Sequence, residues 1–115
     1  MSVTIYHNPR CSKSRQTLGL LQERIVDINI IEYLKTPPDI SQLKQILKKL
    51  GYEPRQLMRK SEQIYKNFDL GNENKTVEDL IKAMAQNPIL IERPIVLSGE
   101  KAVIGRPPES VLNIL

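Results

Sequence analysis

The sequence predicts an α/β fold in one domain spanning residues 1–115: a mixed four-stranded sheet flanked by helices, with a helical insertion at about residues 38–89. Three features lead there. Within about the first 31 residues a β-branched run, "VTIY", gives way to helical spacing and then to a second apolar run, "IVDINII", which is the pattern of a right-handed βαβ unit with parallel strands. Near the other end "IVLSGEKAVIG" divides into two apolar runs about a short glycine turn, a hairpin signal. Between these regions lie two capped amphipathic helices, so the strands fall into two halves separated by helices.

Each element has a local reason. Val3 to Tyr6 alternate in β-branched and aromatic types and stop at the turn signal His7-Asn8-Pro9. Ser14, Leu18, Leu21 and Ile25 recur at helical spacing, making about Ser12 to Glu23 a helix that carries Cys11 at its N-terminus. In "TPPDISQLKQILKKLG", Asp39 is an N-cap with Gln42 three residues on. Ile40, Leu43, Ile46, Leu47 and Leu50 form the apolar face, and Gly51 is the stop. "TVEDLIKAMAQNP" repeats this arrangement, with Thr76 as cap, Asp79 at the third helical position, Val77, Leu80, Ile81 and Met84 on one face and Pro88 as terminator. Pro54 to Phe68 reads as one or two short helices and "DLGNENK" as a loop. After the hairpin, "RPPESVLNIL" begins with prolines suited to the first turn of a closing helix. Pro94 stands at the start of its strand, where an X-Pro bond can adopt the cis isomer.

Composition narrows the function. No apolar run approaches the roughly 18 residues that cross a bilayer, and "MSVTIYHNPR" lacks the charged start and apolar block of a signal sequence, so a soluble protein without membrane partners is expected. With a single cysteine no internal disulfide can form, and the cytoplasm is the expected location. The formal charge is +4. Nucleic acid is nevertheless not the expected partner: cations are interspersed with acids, only five residues are aromatic, and no RNP-like, zinc-knuckle or helix-turn-helix pattern occurs. No metal site and no bound cofactor are expected either. The basic excess is local, with Arg10, Lys13, Arg15 and Arg24 against Glu23 alone in the first 24 residues, which suits a small anion near Cys11.

A lone cysteine is ordinarily a small buried hydrophobe. Cys11 instead follows a strand, on a polar turn at a helix N-terminus, where free backbone N–H groups, the helix dipole and neighbouring cations favour a thiolate. Ser14 occupies the C-x-x-S position where dithiol oxidoreductases place a resolving cysteine, and serine can only hydrogen-bond the thiolate or cap the helix. Any cycle that oxidises Cys11 therefore needs an outside thiol. His7 can add positive charge or orient the turn. Arg59 in "LMRKS", Arg93 in "ERPIV" and Arg106 in "GRPPE" read singly as solvated or ion-paired side chains, Arg93 with Glu92 for example. Together they could offer bidentate forks to a tetrahedral oxyanion.

"HNPRCSKSR", "LMRKS", "LIERPIV" and "GRPPE", in this order across residues 7–109, resemble the arsenate reductase family that works with glutathione and glutaredoxin. The resemblance implies a thioredoxin-like fold with a helical insertion, a catalytic cysteine at Cys11, and substrate-binding arginines at Arg59, Arg93 and Arg106. It places His7 and Ser14 as supports of the thiolate and favours a cis bond before Pro94. Arsenate or a similar oxyanion is the implied substrate, with glutathione and glutaredoxin as external reductants. The rival reading is a regulator resembling Spx-type proteins, which share the fold, bind RNA polymerase and often carry C-x-x-C as a redox switch. "CSKS" lacks that switch.

Overall fold

A computed structural model describes residues 2–25 and 27–115. Its packing separates two compact units, one formed by the chain up to Thr36 together with Arg93–Leu115, the other by Pro37–Glu92.

In the first unit, β1 (Ser2–His7) runs into α1 (Ser12–Arg24), and α1 leads back to β2 (Asp27–Glu32). β1 and β2 pair in parallel from Ser2↔Asp27 to His7↔Glu32, so the expected βαβ connection is present. Val26, part of the run read as the second strand, lies outside the described residues. β3 (Ile95–Ser98) and β4 (Lys101–Ile104) form the hairpin. Its two-residue turn has Gly99 first, at φ 60°, the backbone that such turns require and that glycine adopts without a Cβ penalty. β3 pairs antiparallel with β1, giving a mixed four-stranded sheet in the order β2-β1-β3-β4.

The core of this unit consists of Val3 and Ile5 from β1, Leu21 from α1, Val96 from β3 and Val111 near the C-terminus, all fully buried. Burying one such side chain contributes about 1.5–3 kcal/mol, enough for this cluster to fix α1 against the sheet. The buried face of α1 is Ser14, Thr17 and Leu21. Leu18, expected on that face, is only partly buried, and Thr17 replaces it. The closing segment, Pro108–Ile114, is a 3-10 helix rather than an α-helix. Pro107 and Pro108 supply fixed φ angles but no N–H donors at its start, and the tighter 3-10 ladder is used in short pieces such as this one. The Arg93-Pro94 peptide bond is cis, and so is Arg106-Pro107, which nothing in the sequence singled out.

The second unit is helical: α2 (Ile40–Leu50), α3 (Gln63–Asn67) and α4 (Val77–Gln86), with 3-10 turns at Pro54–Leu57 and Pro88–Leu90. Reciprocal capping boxes start α2 and α4. The Asp39 carboxylate accepts from the Gln42 N–H while the Gln42 side chain accepts from the Asp39 N–H, and Thr76 and Asp79 repeat the exchange. Gly51 ends α2 at φ 69°, a left-handed C-cap. Leu43, Ile46 and Leu47 on α2 and Leu80, Ile81 and Met84 on α4 are buried, so this unit has its own apolar core. Among the described residues no helix is long and apolar enough to cross a membrane.

Candidate active site

The turn between β1 and α1 is held by its own polar groups. The Cys11 N–H donates to the Asn8 carbonyl at 3.0 Å, the Arg10 N–H to Asn8 Oδ1 at 3.0 Å, and Arg15 Nη1 to the Pro9 carbonyl at 2.9 Å. Asn and Pro suit this turn because an Asn side chain bonds to backbone two residues on and Pro fixes its φ. Cys11 itself is the N-cap of α1, in an extended conformation, and its carbonyl accepts the first helical bond from the Arg15 N–H at 3.0 Å. Its side chain closes no standard capping bond. The thiol is partly exposed, and the N–H groups of Ser14 and Lys13 lie close enough to stabilise its charge.

Two cations reach it from the far end of the sequence. Arg106 Nη2 lies 3.5 Å from Cys11 Sγ, while its Nε donates to the Arg93 carbonyl at 2.8 Å. Partial burial pushes the thiol pKa up, but the Ser14 amide, the Arg93 charge, the Lys13 amide and the Arg106 charge together outweigh it and bring the pKa below the ordinary thiol value. The leading charges on the thiol are thus Arg93 and Arg106 rather than the side chains of Arg10, Lys13 and Arg15 that adjoin it in sequence. Arg15 instead braces the turn through Pro9.

Behind the turn, His7 and Ser14 are buried and face each other, with Nδ1 and Oγ 2.6 Å apart. The Ser14 hydroxyl oxygen also accepts the Asn8 N–H at 3.0 Å. Burial lowers the His7 pKa, Glu32 opposes this and Arg15 adds to it, so the surroundings favour the neutral imidazole. Of the two roles open to His7, geometry and charge favour orienting the turn. Ser14 likewise meets the thiol through its backbone N–H, while its hydroxyl serves His7 and Asn8. Arg59 belongs to the second unit, where it pairs with Glu62 at 2.9 Å and its N–H donates to the Leu90 carbonyl at 2.7 Å.

The sequence pattern of the ArsC family matches residues 6–114, which includes the whole of this turn and both thiol-facing arginines. The chain belongs to the ArsC family. It is 49% identical to the arsenate reductase of Haemophilus influenzae, with all of both chains covered. It is 53% identical to an uncharacterized protein of Escherichia coli, YfgD, over 98% of this chain and 96% of that one. Among solved structures, the arsenate reductase from Vibrio cholerae superposes with a TM-score of 0.97 at 49% identity, covering 100% of this chain and 98% of the other. The fold of this ArsC chain is therefore thioredoxin-like, its helices flanking the mixed four-stranded sheet.

One consequence of the geometry is measurable without any substrate. Because the folded protein lowers the Cys11 pKa, the rate of its alkylation by iodoacetamide should rise with pH through a midpoint below the roughly 8.5 of a free thiol. A midpoint at or above that of free cysteine would remove the thiolate from the account.

Proposed function

We propose that this chain reduces arsenate to arsenite through a Cys11 thiolate, with glutathione and glutaredoxin supplying the two electrons. The observation that carries the reading is the Cys11 sulfur at the N-cap of α1, its pKa lowered and Arg106 Nη2 at 3.5 Å. The Haemophilus influenzae and Neisseria meningitidis relatives, 49% and 47% identical, are named arsenate reductases and support the choice of oxyanion.

In the proposed cycle the thiolate attacks arsenic, an S–As bond forms and one As–O bond breaks, its oxygen leaving as water after protonation. Arg93 and Arg106 hold the remaining oxygens, and the charge that stabilises the free thiolate passes to the oxyanion. Glutathione then displaces a second oxygen from arsenic, again as water. A glutaredoxin thiolate attacks the glutathione sulfur, the electron pair of that S–As bond stays on arsenic, and arsenic(V) becomes arsenic(III) as the mixed disulfide departs. Water displaces Cys11 from arsenic(III), which frees arsenite and regenerates the thiol. Cys11 thus enters as the nucleophile, departs as the leaving group, and is never half of an internal disulfide.

The test is arsenite formation coupled to NADPH consumption in the presence of arsenate, glutathione, glutaredoxin and glutathione reductase. Sustained turnover that saturates with arsenate is expected. No arsenite, together with retention of RNA polymerase on the immobilised protein, would favour the regulatory reading.

A further inference from the structure

The anion site has two halves from opposite ends of the sequence, the amides of the first turn of α1 and the guanidinium of Arg106, and one buried side chain touches the backbone that supports both. Thr17 is fully buried in α1. Its hydroxyl donates to the Lys13 carbonyl at 2.8 Å, in the helical turn that presents the Lys13 and Ser14 N–H groups to the thiol, and it faces the Gly105 carbonyl at 3.4 Å. That carbonyl belongs to the peptide bond that carries Arg106. The approach is close enough to dictate the residue at 105: a Cβ there would lie 2.5 Å from Thr17 Oγ1, 3.0 Å from Thr17 Cγ2 and 2.8 Å from Pro94 Cγ. The Gly105 N–H in turn donates to the Pro94 carbonyl at 2.9 Å, which ties the same strand end to the segment that starts with Arg93.

We propose that Thr17 and Gly105 act as a pair of positioning residues, setting how closely Arg106 approaches the Cys11 sulfur by docking α1 directly on the backbone that precedes Arg106. Neither residue touches the thiol. The pair works by fixing a separation: the thiol is anchored to one end of α1, Arg106 follows Gly105 immediately, and no side chain stands between Thr17 and Gly105 to act as a spacer. A methyl group inserted there must push away the branched Thr17 side chain, and α1 with it, or displace the Pro94 ring, because neither short side chain can swing clear without cost. Removing the Thr17 hydroxyl leaves the shape of the contact but takes away the bond to the Lys13 carbonyl and the polar atom that faces the Gly105 carbonyl.

The proposal rests on Cys11 working as a thiolate beside Arg106, and its test uses iodoacetamide rather than arsenate, so it can fail while the arsenate reading stands. The pH dependence of Cys11 alkylation and the thermal melt are measured for the full-length protein and for Gly105→Ala, Thr17→Val and Thr17→Ala combined with Gly105→Ala. Gly105→Ala is expected to move the alkylation midpoint upward and to slow alkylation severalfold at neutral pH. Thr17→Val should move it in the same direction by less. The double variant, which removes both Thr17 atoms that the new Cβ meets, should recover part of the shift. Lowered melting temperatures with an unmoved midpoint in all three would make the contact mere packing and overturn the proposal. If Gly105→Ala does not fold, Thr17→Val decides alone, since valine keeps the branched shape: an upward shift supports the pair, and an unchanged midpoint refutes it.

Discussion

Cys11→Ser should reduce arsenate turnover to background, a fall of at least about 10³-fold in kcat, as expected when a nucleophile that forms a covalent intermediate is removed. The substitution separates chemistry from folding unusually well. Cys11 is the N-cap of α1 with no side-chain capping bond, and serine is among the preferred N-cap residues. The melting temperature should therefore hold or rise while activity disappears. What is lost is the ionisable group: a serine hydroxyl stays protonated at neutral pH, so the Lys13 and Ser14 amides, Arg93 and Arg106 no longer meet a thiolate at position 11. Arsenite production by the variant at the wild-type rate would remove the sulfur from the mechanism.

Arg106→Lys should lower kcat/KM for arsenate by roughly 10²-fold, the scale seen when one donor to a developing oxyanion is lost. Lysine keeps the positive charge, so a purely Coulombic role predicts a small effect. Arg106, however, uses two sides of a planar group at once, Nε to the Arg93 carbonyl at 2.8 Å and Nη2 toward the Cys11 sulfur at 3.5 Å. A lysine ammonium cannot present two fixed donors in that way. Kinetics should therefore change far more than the melt. Unchanged kinetics with a lowered melting temperature would make Arg106 a structural residue that merely pins the Arg93 carbonyl.

Much of this architecture is legible in the sequence because its causes are local. The period change between "VTIY" and the residues after Cys11 separates β1 from α1, and Asp39 with Gln42 or Thr76 with Asp79 mark helix starts through bonds made within four residues. The thiol at a helix N-terminus is legible for the same reason. What escapes is decided by partners distant in the chain. Thr17 reads as polar and lies outside the α1 face that periodicity predicts, yet it is buried because Gly105, 88 residues away, leaves room for it. The cations beside Cys11 in sequence suggest the source of its acidity, but backbone geometry turns Arg15 onto Pro9, and Arg93 and Arg106 take the place by the thiol. The motif resemblance names Arg59, Arg93 and Arg106 as one set, whereas composition and spacing give no means of pairing Arg93 and Arg106 with Cys11. The 3-10 form of the closing segment is a matter of its hydrogen-bond pattern, to which helical periodicity is blind.

The central claim is that one protein sulfur acts as a nucleophile while the electrons come from outside the chain. It is tested most directly by exchanging the thiol source in the NADPH-linked assay and following arsenite. With glutathione, glutaredoxin and glutathione reductase, the wild-type protein should turn over repeatedly. With thioredoxin and thioredoxin reductase as the only thiol system it should not, because Ser14 stands where a second sulfur would be needed to release Cys11 as a disulfide. Ser14→Cys should restore part of the thioredoxin-supported activity. Sustained arsenite formation by the wild-type protein with thioredoxin alone would contradict the account.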